Sequence, residues 1–581
     1  MNEEIVGIDL GTTNSEIALY RNSRPDVLAD QRGRVILPSV VGVDEAGELL
    51  VGEEARNQYI LYPDRTVRSI KRLMGSDRKV QLAEKEYSPQ EISAIILKRL
   101  KEIAEQRLGR PVRKAVITVP AFFSDAQRQA TRAAGEIAGL EVVRIINEPT
   151  AAALVYEAAQ QQGKRLLVYD LGGGTFDVSV VRIEEGVVEV IASHGNNHLG
   201  GDDFDSKIVE RIVEHLKAEQ RVDVTGNPQA MARIQRAAES AKKTLSDHPF
   251  VRIDEEYLAE HDGRPVHLAL ELSRADYEES IAPFIEETLS AIHAALESAA
   301  LTSSQIDEIL LVGGATRTPV IHTRLFEVFG KPARGEVDPD LCVAMGAAIQ
   351  GASMAGEKVS AVLVDVTPYS FGTSAIGELD GEIYPYRYVP IIPQNTPIPV
   401  RKSEAFCTVH DNQECVDVHI YQGENDDALE NIEIGEFRVE GLGIAPAGNT
   451  IILDLALDRD GILHVSAKEK ATGLERRITI DKAMSRYDGD AIASARERIN
   501  SLFGEDEEPT AVEGADSALD DSEIEALLVR ARAKLDIVIA EDRSEIVDLM
   551  ATINDCRRNQ DDSGLADAVQ QLADLLFYLE T

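Results

Sequence analysis

The chain contains no tryptophan, four cysteines and 5% aromatic residues in 581 positions. The thiols, Cys342, Cys407, Cys415 and Cys556, show no CxxC spacing, which argues against a thiolate zinc site and a disulfide framework. Cys407 and Cys415 flank a turn at Asp411-Asn412 and could face each other across a hairpin, but free, reduced thiols are the expectation. The eleven histidines form no ligand cluster, so histidine-bound zinc is not expected either. No apolar run approaches the ~18 residues of a membrane-spanning helix. The acidic start Met1-Asn2-Glu3-Glu4 runs straight into a strand, unlike a secretory leader, and a cytoplasmic location is expected. Basic residues are scarce too: 60 Lys and Arg against 101 Asp and Glu give a net charge of −41. That balance excludes a nucleic-acid polyanion as main partner.

What is present organises itself around Asp170-Leu171-Gly172-Gly173-Gly174-Thr175-Phe176-Asp177. Apolar runs, Leu166 to Tyr169 and Val178 to Ile183, lead in and out, reading as strand, glycine turn, strand. Three glycines let the backbone approach a ligand closely, and successive N–H groups can cup an anion. Flanking carboxylates would repel a bare phosphate unless a divalent cation stands between them. A weaker copy opens the chain: Ile5 to Ile8, then Asp9-Leu10-Gly11-Thr12-Thr13-Asn14-Ser15, then alternating Ile17 and Leu19. Two acidic turns of this kind suggest two similar lobes gripping one nucleotide–metal complex. A Walker loop or a dinucleotide fingerprint would open a helix, whereas strands follow both turns here.

At 581 residues, roughly three to four domains are expected. Residues 1–357 alternate strands and helices, which implies layered α/β lobes. Ser124 is a fair N-cap for a helix after the strand Ala115 to Pro120. Residues 358–367 form an apolar, exposed-looking connector. Residues 368–482 are dense in strands with Gly and Pro turns and read as a β-sandwich. From 483 the pattern is helical. Ala491 to Phe503 is one helix, and an acidic loop spans Gly504 to Asp521. Apolar stripes then follow at Ile524, Leu527, Leu528, Ala531 and Leu535, at Ile546, Leu549, Met550 and Ile553, and at Leu565, Val569, Leu572, Leu576 and Leu579.

Six motifs in this order resemble the heat-shock protein 70 chaperone family: Gly7 to Ser15, Ile117 to Phe123, Ile146 to Ala153, Asp170 to Asp177, Leu311 to Arg317 and Gly461 to Ala467. The pattern is DnaK-like, with details such as Asp365 to Ser370 and Tyr421 to Asn425 nearer the HscC type. The resemblance implies a two-lobed, actin-like ATPase domain, then a β-sandwich peptide-binding domain and a C-terminal helical lid. It implies that Gly11, Thr12, Thr13, Gly172, Gly173, Gly174, Thr175, Gly200 and Gly201 hold the phosphates of ATP or ADP. Asp9, Glu148, Asp170 and Asp177 would organise Mg²⁺ and K⁺, largely through water, and Lys71 would be the catalytic lysine. Adenosine would lie against Gly313, Gly314, Arg317 and Asp340, with Glu239, Lys242, Lys243 and Ser246 opposite. Pro120, Arg128 and Asp365 match the interdomain switch, and Arg144 matches the contact for a J-domain co-chaperone. An extended apolar peptide would be lined by Thr373, Ala375, Ile376, Phe406, Val409, Gln413, Val416 and Val418.

The chain also departs from the family pattern. Asn197 replaces a threonine and cannot be phosphorylated. The segment from Met74 to Pro89 is short, which bears on any nucleotide exchange factor. Gly377 to Pro393 carries extra residues, including Tyr384, Tyr386 and Tyr388, and the acidic loop interrupts the lid. The expected activity is an ATP-dependent chaperone, probed against two alternatives. One is a sugar kinase, which would leave residues 368–581 without a role. The other is a regulatory ATP-binding protein with little hydrolysis or a narrow client set.

Overall fold

The computed structural model describes residues 4–157, 163–184, 186–334, 338–357, 359, 362–479 and 489–504, with single helical residues between 528 and 572. Chain contacts divide it into two units, Met1–Phe503 and Gly504–Thr581.

The first unit is built on two larger sheets of matching plan. In one, the strand Ile5–Leu10 turns back antiparallel into Asn14–Arg21 and pairs in parallel with Lys114–Val119. In the other, Lys164–Leu171 turns back into Phe176–Glu184 and pairs in parallel with Glu308–Val312. Both hairpins form because apolar residues run up to a Gly/Thr turn and resume with strand periodicity. Ser124 caps the helix Asp125–Ile137 in a reciprocal capping box with Gln127.

The helices Glu148–Glu157 and Cys342–Met354 pack against each other and against the first sheet. Small residues decide how closely. A Cβ on Gly346 would stand 1.8 Å from the Ala151 carbonyl oxygen, and one on Gly7 would stand 2.1 Å from the Ala348 nitrogen.

Residues 362–366 correct the expected exposed connector. They form the strand Val362–Val366, which joins the second sheet parallel to Val187–Asn196 and buries Asp365 and Val366. Beyond it lie two four-stranded antiparallel sheets. One contains Phe371–Leu379, Glu382–Ile392, Cys415–Gln422 and Ile432–Glu440. The other contains Val400–Cys407, Thr450–Leu457, Leu463–Glu469 and Glu475–Thr479. Ile420, Ile434, Leu453, Leu455 and Leu463 share one core between them. Cys407 and Cys415 sit in different sheets, so they do not face each other as a hairpin pair, and both are free thiols. The extra residues at 377–393 extend the hairpin Phe371–Ile392, on which Ile383 is 86% exposed.

The helix Gly489–Leu502 sets Ala495 and Ile499 into the first lobe's core. In the second unit, Leu528, Ala531, Ile546, Ile553 and Leu572 are helical and buried. Residues 505–521, Ile524, Leu527, Leu535, Cys556, Leu576 and Leu579 lie outside the described residues.

Gly346→Ala tests the helix contact. Alanine favours a helix over glycine by about 1 kcal/mol, but overpacking against a backbone carbonyl costs roughly 3 kcal/mol. A net loss of about 2 kcal/mol is expected from urea unfolding with unchanged slope.

Candidate functional site

The two glycine turns meet across one cleft. Gly172 N–H donates to the Thr175 carbonyl (3.1 Å) and closes the second turn. The helix Gly201–Gln220 begins on that turn, with Gly201 N–H donating to the Gly172 carbonyl (2.9 Å) and Asp202 N–H to the Gly173 carbonyl (2.8 Å). A Cβ on Gly173 would lie 1.9 Å from Thr13 Oγ1, and one on Gly200 would lie 2.5 Å from the Gly173 backbone. Only glycine allows this approach.

A cavity of about 80 Å³ lies between the turns. Asp9, Gly11, Thr12, Thr13, Lys71, Glu148, Asp170, Gly172, Gly173, Thr175, Gly313, Gly314 and Asp340 all line it, as does Glu16. Thr13 Oγ1 and Asp170 Oδ2 are buried with no hydrogen-bond partner. Orphaned oxygens beside a glycine cradle fit a hydrated, phosphate-bearing hard cation, since magnesium takes oxygen donors and keeps its waters. Among the described residues, the one set of three ligand-type side chains with donor atoms within 4.8 Å of one another is His419, Glu433 and Glu436, on the strands Cys415–Gln422 and Ile432–Glu440. Asp9, Glu148 and Asp170 therefore suit a cation held through water.

Lys71 is buried, and its ammonium donates to Glu148 Oε1 (2.5 Å). Burial, reinforced by the Glu148 charge, raises Asp9 to about 7 against the opposing pull of Lys71 and the Thr118 hydroxyl. The same two causes raise Asp177 to about 7. Burial and the neighbouring carboxylates hold Asp170 well above the usual range.

Asp177 lies behind the cavity wall. Its oxygens accept from the amides of Ala121 and Phe122 (both 3.1 Å). This loop, beginning at Pro120, is gripped from its other side by Arg128, which donates to the Ala121 carbonyl (3.0 Å), the Phe123 carbonyl (3.3 Å) and Asn147 Oδ1 (2.7 Å). Asn147 Nδ2 in turn donates to Asp365 (2.8 Å). A continuous polar chain thus runs from Asp177 to the joining strand. Tyr369 adds a contact, its hydroxyl donating to the Phe122 carbonyl (2.8 Å), which Asn197 Nδ2 also reaches (2.7 Å). From the β sheets, Asp460 pairs with Arg132 and accepts from the Ile145 amide (3.0 Å), and the Leu463 amide donates to Asp125 (3.2 Å). Arg144 is half-buried near Asp460 and Asp365.

A second cavity of about 240 Å³ continues from Thr12 and Thr13 and is lined by Glu239 and Lys243, with Tyr59, Arg68 and Arg236. Glu239 and Lys243 pair with each other (2.5 Å), and the other polar residues expected there are engaged elsewhere. Lys242 bridges the Gly201 carbonyl and Asp205, the Ser246 hydroxyl donates to the Lys242 carbonyl, and Arg317 pairs with Asp340 (2.7 Å).

The expected peptide-lining residues divide. Thr373 and Val418 are buried, and the Thr373 hydroxyl is spent on the His419 carbonyl (2.7 Å). Gln413 braces its own loop, accepting from the Val409 amide (3.1 Å). Phe406 and Val416 are half-buried against the core, while Ile376 and Val409 stand exposed. Sequence reasoning missed Glu16, Thr118, Asn147 and Tyr369. Glu16 alone left a signal: an acidic residue directly before the apolar run Ile17 to Leu19.

The chain matches the family model described as Hsp70 protein over residues 5–578. It is 48% identical over 486 residues to the Chaperone protein DnaK of Thermosipho melanesiensis, covering 82% of this chain and 80% of that protein. The Chaperone protein DnaK of Thermotoga petrophila is 49% identical over 487 residues, with the same coverage.

The raised carboxylates give a pH prediction. With Asp9 and Asp177 near 7 when folded and about 4 when unfolded, the folded chain binds more protons between those values. Their contribution to stability is full below about pH 4 and is lost as pH rises through about 7. The urea midpoint of cation-free protein should fall between about pH 5 and about pH 8, and fall less in Asp177→Asn. Equal slopes in the two proteins would contradict the assignment.

Proposed function

The chain belongs to the Hsp70 family, and on that premise we propose how it works as an ATP-dependent chaperone. Residues 1–357 form the nucleotide-binding domain, residues 358–367 the linker, residues 368–482 a β-sandwich that takes extended apolar segments of unfolded proteins, and residues 483–581 the lid. The observation that carries this reading is the polar chain from Asp177 through Ala121, Arg128 and Asn147 to Asp365.

ATP or ADP occupies the cleft, with phosphates on the turns around Thr12, Thr13 and Gly172 to Thr175 and adenosine towards Glu239 and Lys243. Asp9, Glu148 and Asp170 would hold Mg²⁺ through water, and the ion would supply charge neutralisation for the phosphates; a potassium ion is proposed beside it. Lys71, steadied by Glu148, orients the attacking water and stabilises charge on the transferring phosphoryl group. Residues around Asp177 respond to the phosphate through the Ala121–Phe122 amides, and Arg128 and Asn147 pass that response to Asp365. Nucleotide and peptide then bias one docking equilibrium reciprocally. A peptide adds backbone hydrogen bonds and side-chain anchors at the rim marked by Phe406, Val409 and Ile376. A J-domain partner at Arg144 and an exchange factor complete the proposed cycle.

Single-turnover ATP hydrolysis is the test. Unfolded peptide together with a J-domain should speed a slow basal rate. Lys71→Ala should lower that rate by about 10²–10³, as loss of one preorganised charge does elsewhere. A rate indifferent to both additions would favour the regulatory alternative, and an unchanged Lys71→Ala rate would remove the lysine from the mechanism.

A further inference from the structure

Three ligand-type side chains meet on the face of a β sheet turned away from its core: His419 on the strand Cys415–Gln422, with Glu433 and Glu436 on the strand Ile432–Glu440. Nothing in the scheme above uses them. Glu433 and Glu436 are three positions apart, so a regular strand would send them to opposite faces. A bulge prevents that. His419 stands opposite Glu436 and Tyr421 opposite Glu433, which leaves Ile434 as the extra residue, turned into the core. Both glutamates are thereby aimed at one imidazole.

His419 Nδ1 lies 2.6 Å from Glu433 Oε1 and 3.7 Å from Glu436 Oε2, and the three donor atoms all lie within 4.8 Å of one another. Donor atoms about 2.1 Å from a tetrahedral zinc stand roughly 3.4 Å apart, a spacing that these distances bracket. The ring is backed by Tyr421, with centroids 6.4 Å and planes 26° apart. A hydrogen bond to the ring accounts for Glu433 alone. Glu436 is a second carboxylate on the same imidazole, and among the described residues no Lys or Arg pairs with either glutamate. The neighbouring Asp417, by contrast, is taken up by Arg438. All three side chains are partly or largely exposed, which leaves an ion an open way in.

We propose that His419, Glu433 and Glu436 bind a borderline divalent transition cation, zinc above all, on the outer face of this sheet. One imidazole nitrogen with two carboxylate oxygens suits zinc, whereas magnesium and calcium take sets made of oxygen alone. The two carboxylates match the charge of the ion. Three protein donors leave one position for water. The ion takes the place of the proton shared between His419 and Glu433. It ties two neighbouring strands together on the side opposite Val418 and Ile420. None of the three residues lines the cavities at the glycine turns, so the site is separate from the nucleotide cleft.

The probe is Zn²⁺ at dialysis equilibrium with the full chain, counted by atomic absorption. Thiols are alkylated beforehand and Mg²⁺ is kept in excess, so that neither thiolates nor all-oxygen sites take up the zinc. One saturable Zn²⁺ per chain is expected. His419→Gln and Glu433→Gln should each weaken it by about tenfold or more, with folding checked by the urea midpoint. Glu440→Gln, which removes an exposed carboxylate of the same strand outside the trio, should leave it unchanged. No saturable zinc in the unmodified chain overturns the proposal without recourse to any variant. Zinc retained at full affinity by His419→Gln overturns it too. Equal weakening in Glu440→Gln would reduce the binding to general attraction by an acidic surface and overturn it as well.

Discussion

A single buried guanidinium holds the molecule's two halves in register. Arg128 is 5% exposed and lies far from bulk water. A charge in that position persists only if its donors are satisfied. Its partners come from three places: the loop that holds Asp177, the end of a strand at Asn147, and, through Asn147, the joining strand at Asp365. Moving any of these leaves a buried charge under-compensated. The loop and the joining strand are therefore coupled by the cost of stranding Arg128, without a rigid rod between them.

The inner cleft obeys the opposite constraint. There the surplus is anionic, and the backbone offers N–H groups but few side-chain cations. Glycines bring two turns within contact, which concentrates carboxylates faster than it can neutralise them. Such a site is incomplete without ions from solution. The outer cavity, by contrast, has Arg68, Arg236 and Lys243 on its walls. Lys243 is paired there with Glu239, so Arg68 and Arg236 leave this cavity less acidic than the inner one.

Much of this was legible from local signals. The glycine hairpins, the Ser124 cap and the strands after residue 397 follow from turn chemistry and alternation, which act over a few residues. Lys71 was legible only through the family resemblance, because its partner Glu148 is 77 residues away. The strand Val362–Val366 looked like an exposed connector, since five apolar-leaning residues say nothing about which sheet edge will receive them. Thr373 and Val418 show the same limit, because alternation marks an inner face without saying whether it faces a core or a ligand. Glu16 was readable in principle. The hairpin register places it opposite Asp9, but register becomes compelling only once the turn length is known.

The joining strand has one more consequence. It pairs Val362, Leu363 and Val364 with Val187, Val188 and Glu189, each 175 residues away in the chain. Three residue pairs are a weak interface, and any free chain carrying the same segment could form them. The tether changes the competition, because a segment of the same chain stays at a high effective concentration. A second molecule in dilute solution cannot match that. The sheet edge is kept for the chain's own strand by proximity, so exclusion of foreign strands follows from covalent connectivity rather than from side-chain recognition.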